Sequence, residues 1–272
     1  MAVEMIRKGK VHFVGIGGAG LSAIARVLLE QGEQVSGSDL QASALTAGLE
    51  SLGAKVTIGH RAENVRGADV VVVSSAVHAD NPEVQEARRL GIPVLKRAEF
   101  LGELLAGRRV IAVAGTHGKT TTTAMITWML TSAGLEPGFI VGGVMANLGT
   151  NARAGRSEYF VIEADEYDRM FWGLTPWLAV VTNIELDHVD CYPTLADLRQ
   201  AYAAFLARTK EDGAWLICAE SRTAVEAALE AEKQFPGSRP HMFIYGWGAA
   251  DWRAELAGGQ RSWAHWQGHS FG

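Results

Sequence analysis

Apolar residues recur at helical spacing between positions 21 and 31. Leu21, Ile24, Ala25, Leu28 and Leu29 share one face, and Gly32 stands where such a helix would end. Short apolar segments on either side predict strands at 11–14 and 34–38. The run Val70-Val71-Val72-Val73 has no polar face, which suits a strand buried on both sides of a parallel sheet. Asn81-Pro82 offers an N-cap and a first-turn proline for a helix to about residue 90. A strand at 93–95 and a helix at 98–105 close this series.

The alternation restarts at Arg109. A strand at 110–114 enters a glycine turn, followed by a helix at 119–132 with Gly134 beyond its end. Further strands are expected at 139–141, 159–163, 178–182 and 215–218. Thr194 with Asp197 reads as a capping box for a helix through about residue 208. From about Met242 the pattern is of short strands. Their tryptophans, Trp247, Trp252, Trp263 and Trp266, are expected as sheet packing. Strands alternating with helices predict an α/β protein. The expectation is a Rossmann-like N-terminal domain, residues 1–107, followed by a P-loop-type α/β domain, residues 108–272.

Composition narrows the function. The chain has 272 residues, 48 % hydrophobic and 20 % charged, with a net charge of −5, which argues against disorder and against a general nucleic-acid binder. No apolar run is long enough to span a bilayer, and the first residues lack a secretory pattern, so a cytoplasmic location without membrane insertion is expected. Cys191 and Cys218 are the only cysteines, too few for a disulfide framework or a multi-cysteine zinc site.

Two glycine turns carry candidate chemistry. Gly15-Ile16-Gly17-Gly18-Ala19-Gly20 fits G-x-G-x-x-G between a strand and a helix, where a diphosphate approaches a helix N-terminus; Asp39, ending the next strand, stands where a ribose hydroxyl is often held. By itself this loop also fits a nicotinamide-dependent oxidoreductase. Gly115-Thr116-His117-Gly118-Lys119-Thr120 is the second turn. Its backbone N–H groups would cradle phosphates, Lys119 would neutralise them, and the Thr120 hydroxyl would bind Mg²⁺. The strict P-loop pattern would place a first glycine where Val113 stands. Glu163-Ala164-Asp165-Glu166 leaves one apolar strand. Asn183, Glu185, Asp187, His188 and Asp190 leave another, so both clusters could add metal or phosphate contacts.

Taken together, VHFVGIGGAGLSAIA, VSGSD, SSAV, NPEV, AGTHGKTTTT, EADE and VTNIELDHVD resemble the Mur ligases of peptidoglycan synthesis, over positions 11–218 and more weakly beyond. The resemblance implies ATP-dependent amide synthesis through an acyl phosphate, with ATP and Mg²⁺, on UDP-N-acetylmuramate with L-alanine as the amine. It implies UDP-sugar contacts in the segments of Gly15, Gly17, Gly18, Gly20, Asp39, His60 and Ser75. It further implies ATP contacts at Gly115, Thr116, His117, Gly118, Lys119, Thr120 and Thr121. Lys119, Glu163 and His188 would be catalytic, with Thr120, Glu163 and His188 at the metal. Tyr167, after the acidic motif, is similar instead to the branch that attaches recycled peptide to the same sugar nucleotide. The family's PGxHNxxN segment would begin near Gly272, where the chain stops. A fragment, a chain completed by another, or a non-catalytic nucleotide-binding remnant are the resulting expectations, with the isolated chain inactive as a ligase.

Overall fold

The computed structural model describes residues 9–234, 240–247, 250–256, 262–266 and 269–271. The chain packs as two units, Met1–Arg108 with Ile126–Val161, and Arg109–Met125 with Ile162–Gly272.

In the first unit, β1 (Lys10–Val14), β2 (Gln34–Asp39), β3 (Lys55–Ile58), β4 (Val70–Val73) and β5 (Val94–Lys96) form a parallel sheet of order β3-β2-β1-β4-β5. The order reverses between β1 and β4, the point at which such sheets open a crevice beyond their carboxyl ends. Helix α1 (Ala19–Glu30) follows the first glycine turn and buries the apolar face expected of it, including Leu21, Ile24, Ala25 and Leu28. Helix α2 (Ala44–Ser51) starts at a Ser43–Thr46 capping box. Helix α3 (Pro82–Arg89) begins at Asn81, whose side chain accepts from the Glu83 N–H, and α4 (Arg97–Leu104) follows β5. Phe13 on β1 meets Phe100 on α4 edge-to-face at 5.9 Å, and both are fully buried.

The second sheet has ten strands. They are β6 (Arg109–Ala114), β7 (Gly138–Met145), β8 (Thr150–Arg153), β9 (Tyr159–Glu163), β10 (Leu178–Val181), β11 (Ala214–Cys218), β12 (His241–Gly246), β13 (Trp252–Leu256), β14 (Ser262–Trp266) and β15 (His269–Phe271). Their order is β15-β14-β13-β12-β11-β10-β6-β9-β7-β8. β6, β10, β11, β12 and β13 pair in parallel, and β13-β14-β15 is an antiparallel edge. Helices α5 (Lys119–Ser132), α6 (Leu195–Leu206) and α7 (Arg222–Glu232) are the associated helices, α6 starting at the Thr194–Asp197 capping box.

The strand expected at 139–141 is the first half of β7, which turns back into β8. This hairpin belongs to the first unit, where it lies against α1 and the Ala154 N–H donates to Glu30 Oε2 at 2.9 Å. Packing therefore gathers 126–161 with the N-terminal segment, although the alternation pattern placed a single boundary at 107/108. Trp252 on β13 is in register with Trp266 on β14, and the expected packing of the Trp263 and Trp266 side chains lies outside what the structure describes. Trp247 departs from that expectation: it follows the end of β12 and is 58 % exposed.

Candidate functional site

The first glycine loop hangs from β2. The N–H groups of Gly15 and Ile16 both donate to the Ser38 carbonyl, at 2.9 and 3.0 Å. The Gly17 N–H donates to Asp39 Oδ2 at 2.8 Å, and a Cβ at Gly17 would sit 2.9 Å from that oxygen, so the close approach depends on glycine. Gly18 is the N-cap of α1 and has no side chain with which to bond the first turn, which also carries no acidic residue. The N–H groups and positive end of α1 are thus left to an anion. Gly20 lies against the Arg97 guanidinium. Asp39 ends β2, His60 follows β3 and exposed Ser75 follows β4. The fold therefore brings the seven sequence-named UDP-sugar residues to the carboxyl ends of neighbouring parallel strands. Asp39 is already engaged by the loop itself.

Beside this loop lies a polar cluster that the sequence pattern does not reveal. Glu83, in the first turn of α3, is fully buried. Its Oε2 accepts from the Ser38 hydroxyl at 2.6 Å and lies 3.4 Å from His12 Nε2. Its Oε1 accepts from Asn64 Nδ2 at 2.5 Å and from the Arg61 N–H at 3.2 Å, with His60 Nδ1 at 3.6 Å. Burial pushes this carboxyl upward. The bonds from His12, Ser38 and Asn64, with the charge of His12, more than offset that and hold it at about 2. A glutamate after Asn-Pro reads as a helix-dipole partner; only the partners gathered by tertiary structure show it to be a hub.

The second loop is fastened to the segment after β10. The Thr116 N–H donates to the Asn183 carbonyl at 2.9 Å, and the Thr116 hydroxyl donates to the Glu185 carbonyl at 3.0 Å. The His117 N–H donates to Asn183 Oδ1 at 2.9 Å. Its carbonyl accepts from Thr182 Oγ1 at 2.7 Å and from Asn183 Nδ2 at 3.0 Å. Gly115 sits at φ +143°, and a Cβ there would overlap Thr182 Oγ1. Asn183 and Glu185, candidates for metal or phosphate contact, hold the loop in place. The His117 ring is exposed, 3.7 Å from an equally exposed Glu185 carboxylate. Gly118, Thr120 and Thr121 open to solvent.

Lys119 Nζ donates to the Gly115 carbonyl at 2.6 Å and to Glu166 Oε1 at 2.9 Å. Thr120 Oγ1 lies 3.0 Å from both oxygens of Glu163. Glu166 is 1 % exposed, and its Oε2 is buried without a hydrogen-bond partner. Burial raises its pKa, and the Lys119 charge pulls it back only in part. His188 brings Nε2 to 4.0 Å from Glu166 Oε1 from a strained backbone at φ +51°, with its ring 5.0 Å from that of Tyr167. The Tyr192 hydroxyl donates to the Glu166 carbonyl at 2.7 Å, and burial pushes that phenol up to about 12. Phe171 stacks on Phe205 at 4.9 Å and meets Tyr202 edge-to-face, which seats the 3-10 turn Tyr167–Gly173 on α6. Thr120 and Glu163 are hard oxygen donors of the kind that suit Mg²⁺ shared with substrate phosphates. Among the described residues no three His, Cys, Asp or Glu side chains form a metal cluster.

Residues 10–109 match the Mur ligase family, catalytic domain, and residues 113–239 match the Mur ligase middle domain. The chain belongs to the Mur ligase family. Among its Mur relatives, the UDP-N-acetylmuramate–L-alanine ligase of Sorangium cellulosum is 53 % identical over 208 residues, covering 76 % of this chain and 44 % of that one. The enzyme of the same name from Trichlorobacter lovleyi is 46 % identical over 269 residues, 97 % of this chain and 58 % of that one. The chain thus spans about half the length of the curated Mur ligases it matches. Among solved Mur ligases, the UDP-N-acetylmuramate:L-alanyl-gamma-D-glutamyl-meso-diaminopimelate ligase of Neisseria meningitides superposes with a TM-score of 0.85 at 29 % identity, covering 97 % of this chain and 86 % of that one. The UDP-N-acetylmuramate-alanine ligase of Thermotoga maritima gives 0.77 at 30 % identity, covering 91 % and 55 %.

Proposed function

We propose that this chain provides the UDP-sugar-binding and ATP-binding parts of an ADP-forming ligase that joins L-alanine to the lactyl carboxylate of UDP-N-acetylmuramate, working in the cytoplasm. The observation that carries the reading is the conjunction at the second loop: Lys119 held at Gly115 and Glu166, with Thr120 against Glu163. A nicotinamide oxidoreductase would leave that loop without a task. The names of the relatives support the substrate pair.

On this reading the substrate carboxylate attacks the γ-phosphorus of ATP, and the bond from that phosphorus to ADP breaks. The alanine amine then attacks the acyl phosphate carbonyl, loses its proton and expels phosphate. Lys119 neutralises phosphate charge where two anions must meet. The Thr116 and His117 N–H groups are taken by Asn183, which with Glu185 fixes the loop, so the N–H groups at the start of α5 orient the phosphates before they react. Thr120 and Glu163 would hold Mg²⁺, which would supply further charge neutralisation. His188 and Glu166 border the same space, with Glu166 fixing the Lys119 ammonium. The first unit would hold the UDP-sugar diphosphate at the start of α1.

A second reading has its own observation. The solved ligase that uses a peptide as the amine gives a TM-score of 0.85, against 0.77 for the alanine-adding one, and Tyr167 packs on His188 beside the acidic motif. Purified chain with MgATP and UDP-N-acetylmuramate, offered L-alanine or the L-alanyl-γ-D-glutamyl-diaminopimelate tripeptide, separates them. The expected result is slow phosphate release, far below ordinary enzyme turnover, that is stimulated by UDP-N-acetylmuramate and raised further by alanine but not by the tripeptide, with no appreciable amide formed. A response to the tripeptide alone selects the second reading. Tight NADH binding, with no affinity for UDP-N-acetylmuramate, contradicts both.

A further inference from the structure

The hydrogen-bond chain behind His60 determines where its protons lie. Glu83 is a buried carboxylate with donors on both oxygens, so it acts only as an acceptor. The Ser38 hydroxyl has one proton and gives it to Glu83 Oε2 at 2.6 Å. Ser38 Oγ must then accept from its other neighbour, His60 Nδ1, at 2.9 Å. A second constraint agrees: Nδ1 also lies 3.6 Å from Glu83 Oε1, and a lone pair pointed there would face a carboxylate. His60 Nδ1 therefore carries hydrogen. In the neutral ring this leaves Nε2 with a lone pair. Among the described residues no hydrogen bond occupies Nε2, and the buried side-chain atoms that lack a partner do not include it, so it reaches solvent. The ring is otherwise mostly covered, with 15 % of its side chain exposed.

We propose that Glu83 and Ser38 are positioning residues that lock His60 as its Nδ1–H tautomer, making Nε2 a preset hydrogen-bond acceptor for a nucleotide N–H or O–H group. This rests on the reading that the first unit binds a UDP-sugar. A uridine nucleotide offers such donors in its uracil imide and its sugar hydroxyls. Its phosphate and carbonyl oxygens offer none, and a lone pair facing them would be repelled. His60 thus addresses the nucleoside or sugar, and the diphosphate is left to Gly17, Gly18 and the start of α1. The same chain couples the two halves of the site, because the Ser38 carbonyl anchors Gly15 and Ile16 while its hydroxyl orients His60.

The test uses the full chain. Nitrogen-15 NMR of the histidine rings at pH 8, with His60 assigned by its absence in His60→Gln, reads the tautomer without any ligand. The expected result is a protonated Nδ1 and a bare Nε2. An Nε2–H tautomer or an imidazolium overturns the proposal. Calorimetry with UDP as the probe supplies the second readout. Ser38→Ala, which releases the ring, should mix the tautomers and weaken UDP about tenfold, the scale of one directed hydrogen bond. His60→Gln, which can still present an acceptor, should stay within about threefold of wild type, and His60→Leu should fall as far as Ser38→Ala. Equal losses in the Gln and Leu variants overturn the acceptor role. Wild-type chain that shows the expected tautomer and no affinity for UDP rejects the ligand assignment, and with it the acceptor's purpose. Should Ser38→Ala fail to fold, the wild-type spectrum and the two His60 variants still decide.

Discussion

The two glycine loops share one plan, strand into turn into helix, and each has a buried glutamate beside it. Glu83 meets side-chain or backbone donors on both oxygens, and its carboxyl is held down at about 2. Glu166 has one strong donor, Lys119, leaves Oε2 without a well-formed hydrogen bond although the buried Tyr202 hydroxyl interacts with the carboxylate, and has its pKa raised. The physical difference is completeness. A satisfied buried carboxylate is fixed structure, since every group around it loses a partner if it moves. A half-satisfied one retains electrostatic need, which suits a place where a cation and a phosphate are to meet. On the proposed function both loops are phosphate cradles. The state of the carboxylate beside each separates a preformed wall from a working edge.

That contrast is broken most severely at Glu83. Glu83→Ala strands the Ser38, Asn64 and Arg61 donors in a closed interior and should cost about 3–5 kcal/mol. Glu166→Ala removes an unsatisfied oxygen together with the Lys119 partner, leaves Lys119 its Gly115 carbonyl, and should cost less, about 1–2 kcal/mol. Hydrogen exchange of the β1 and β10 amides in urea, read unit by unit, checks both; equal costs would end the distinction.

Acid should separate the two carboxylates by sign. Glu83 has its folded pKa lowered, from an ordinary 4.5 to about 2, so its contribution is present above 4.5 and is lost as pH falls toward 2. That is about 3 kcal/mol of pH-dependent stability at an interior carboxylate. Glu83→Gln should flatten this part of the stability profile. Glu166 is raised, so its folded form favours the proton and its burial is relieved as pH falls. Glu166→Gln should therefore leave no acid-labile stability missing.

Gly17→Ala forces a Cβ against Asp39 Oδ2 and should cost about 1–3 kcal/mol in the first unit. Pairing it with Asp39→Ala should recover part of that, and a double-mutant cycle with no coupling would show that the loop does not rest on Asp39. The smallest stability effect is expected from Thr120→Val, within about 0.5 kcal/mol of wild type because the residue is exposed. The same variant should lose the Mg²⁺ enhancement of ATP affinity, read by titrating ATP with and without the metal.

Much of this was legible in the sequence for identifiable reasons. Helix α5 and strand β9 have the bounds that periodicity predicts, and the Asn81 and Thr194 caps form where their side chains imply. Helix α7 escaped because its buried face is Ala224, Ala227, Ala228 and Ala231, a stripe too small to stand out as hydrophobic. Strand β3 escaped because it is an edge strand of four residues with little burial, and α2 because it buries only Thr46 and Leu49. The glycine loops, Lys119, Thr120 and Glu163 were visible because chemistry and spacing coincide along the chain. Glu83 was not, because its partners His12, Ser38, His60 and Asn64 come together only when β1, β2 and α3 pack.

The central claim, two phosphate-binding loops for two different ligands in one chain, is tested most directly by crossed calorimetry. Wild type, Gly17→Ala and Lys119→Ala are each titrated with UDP-N-acetylmuramate and with MgATP. Lys119→Ala should weaken ATP at least tenfold, the loss of a charged phosphate contact, and leave the sugar nucleotide within about twofold. Gly17→Ala should show the reverse. A folded variant that loses both ligands together, or a Lys119→Ala chain that keeps full ATP affinity, would contradict the account.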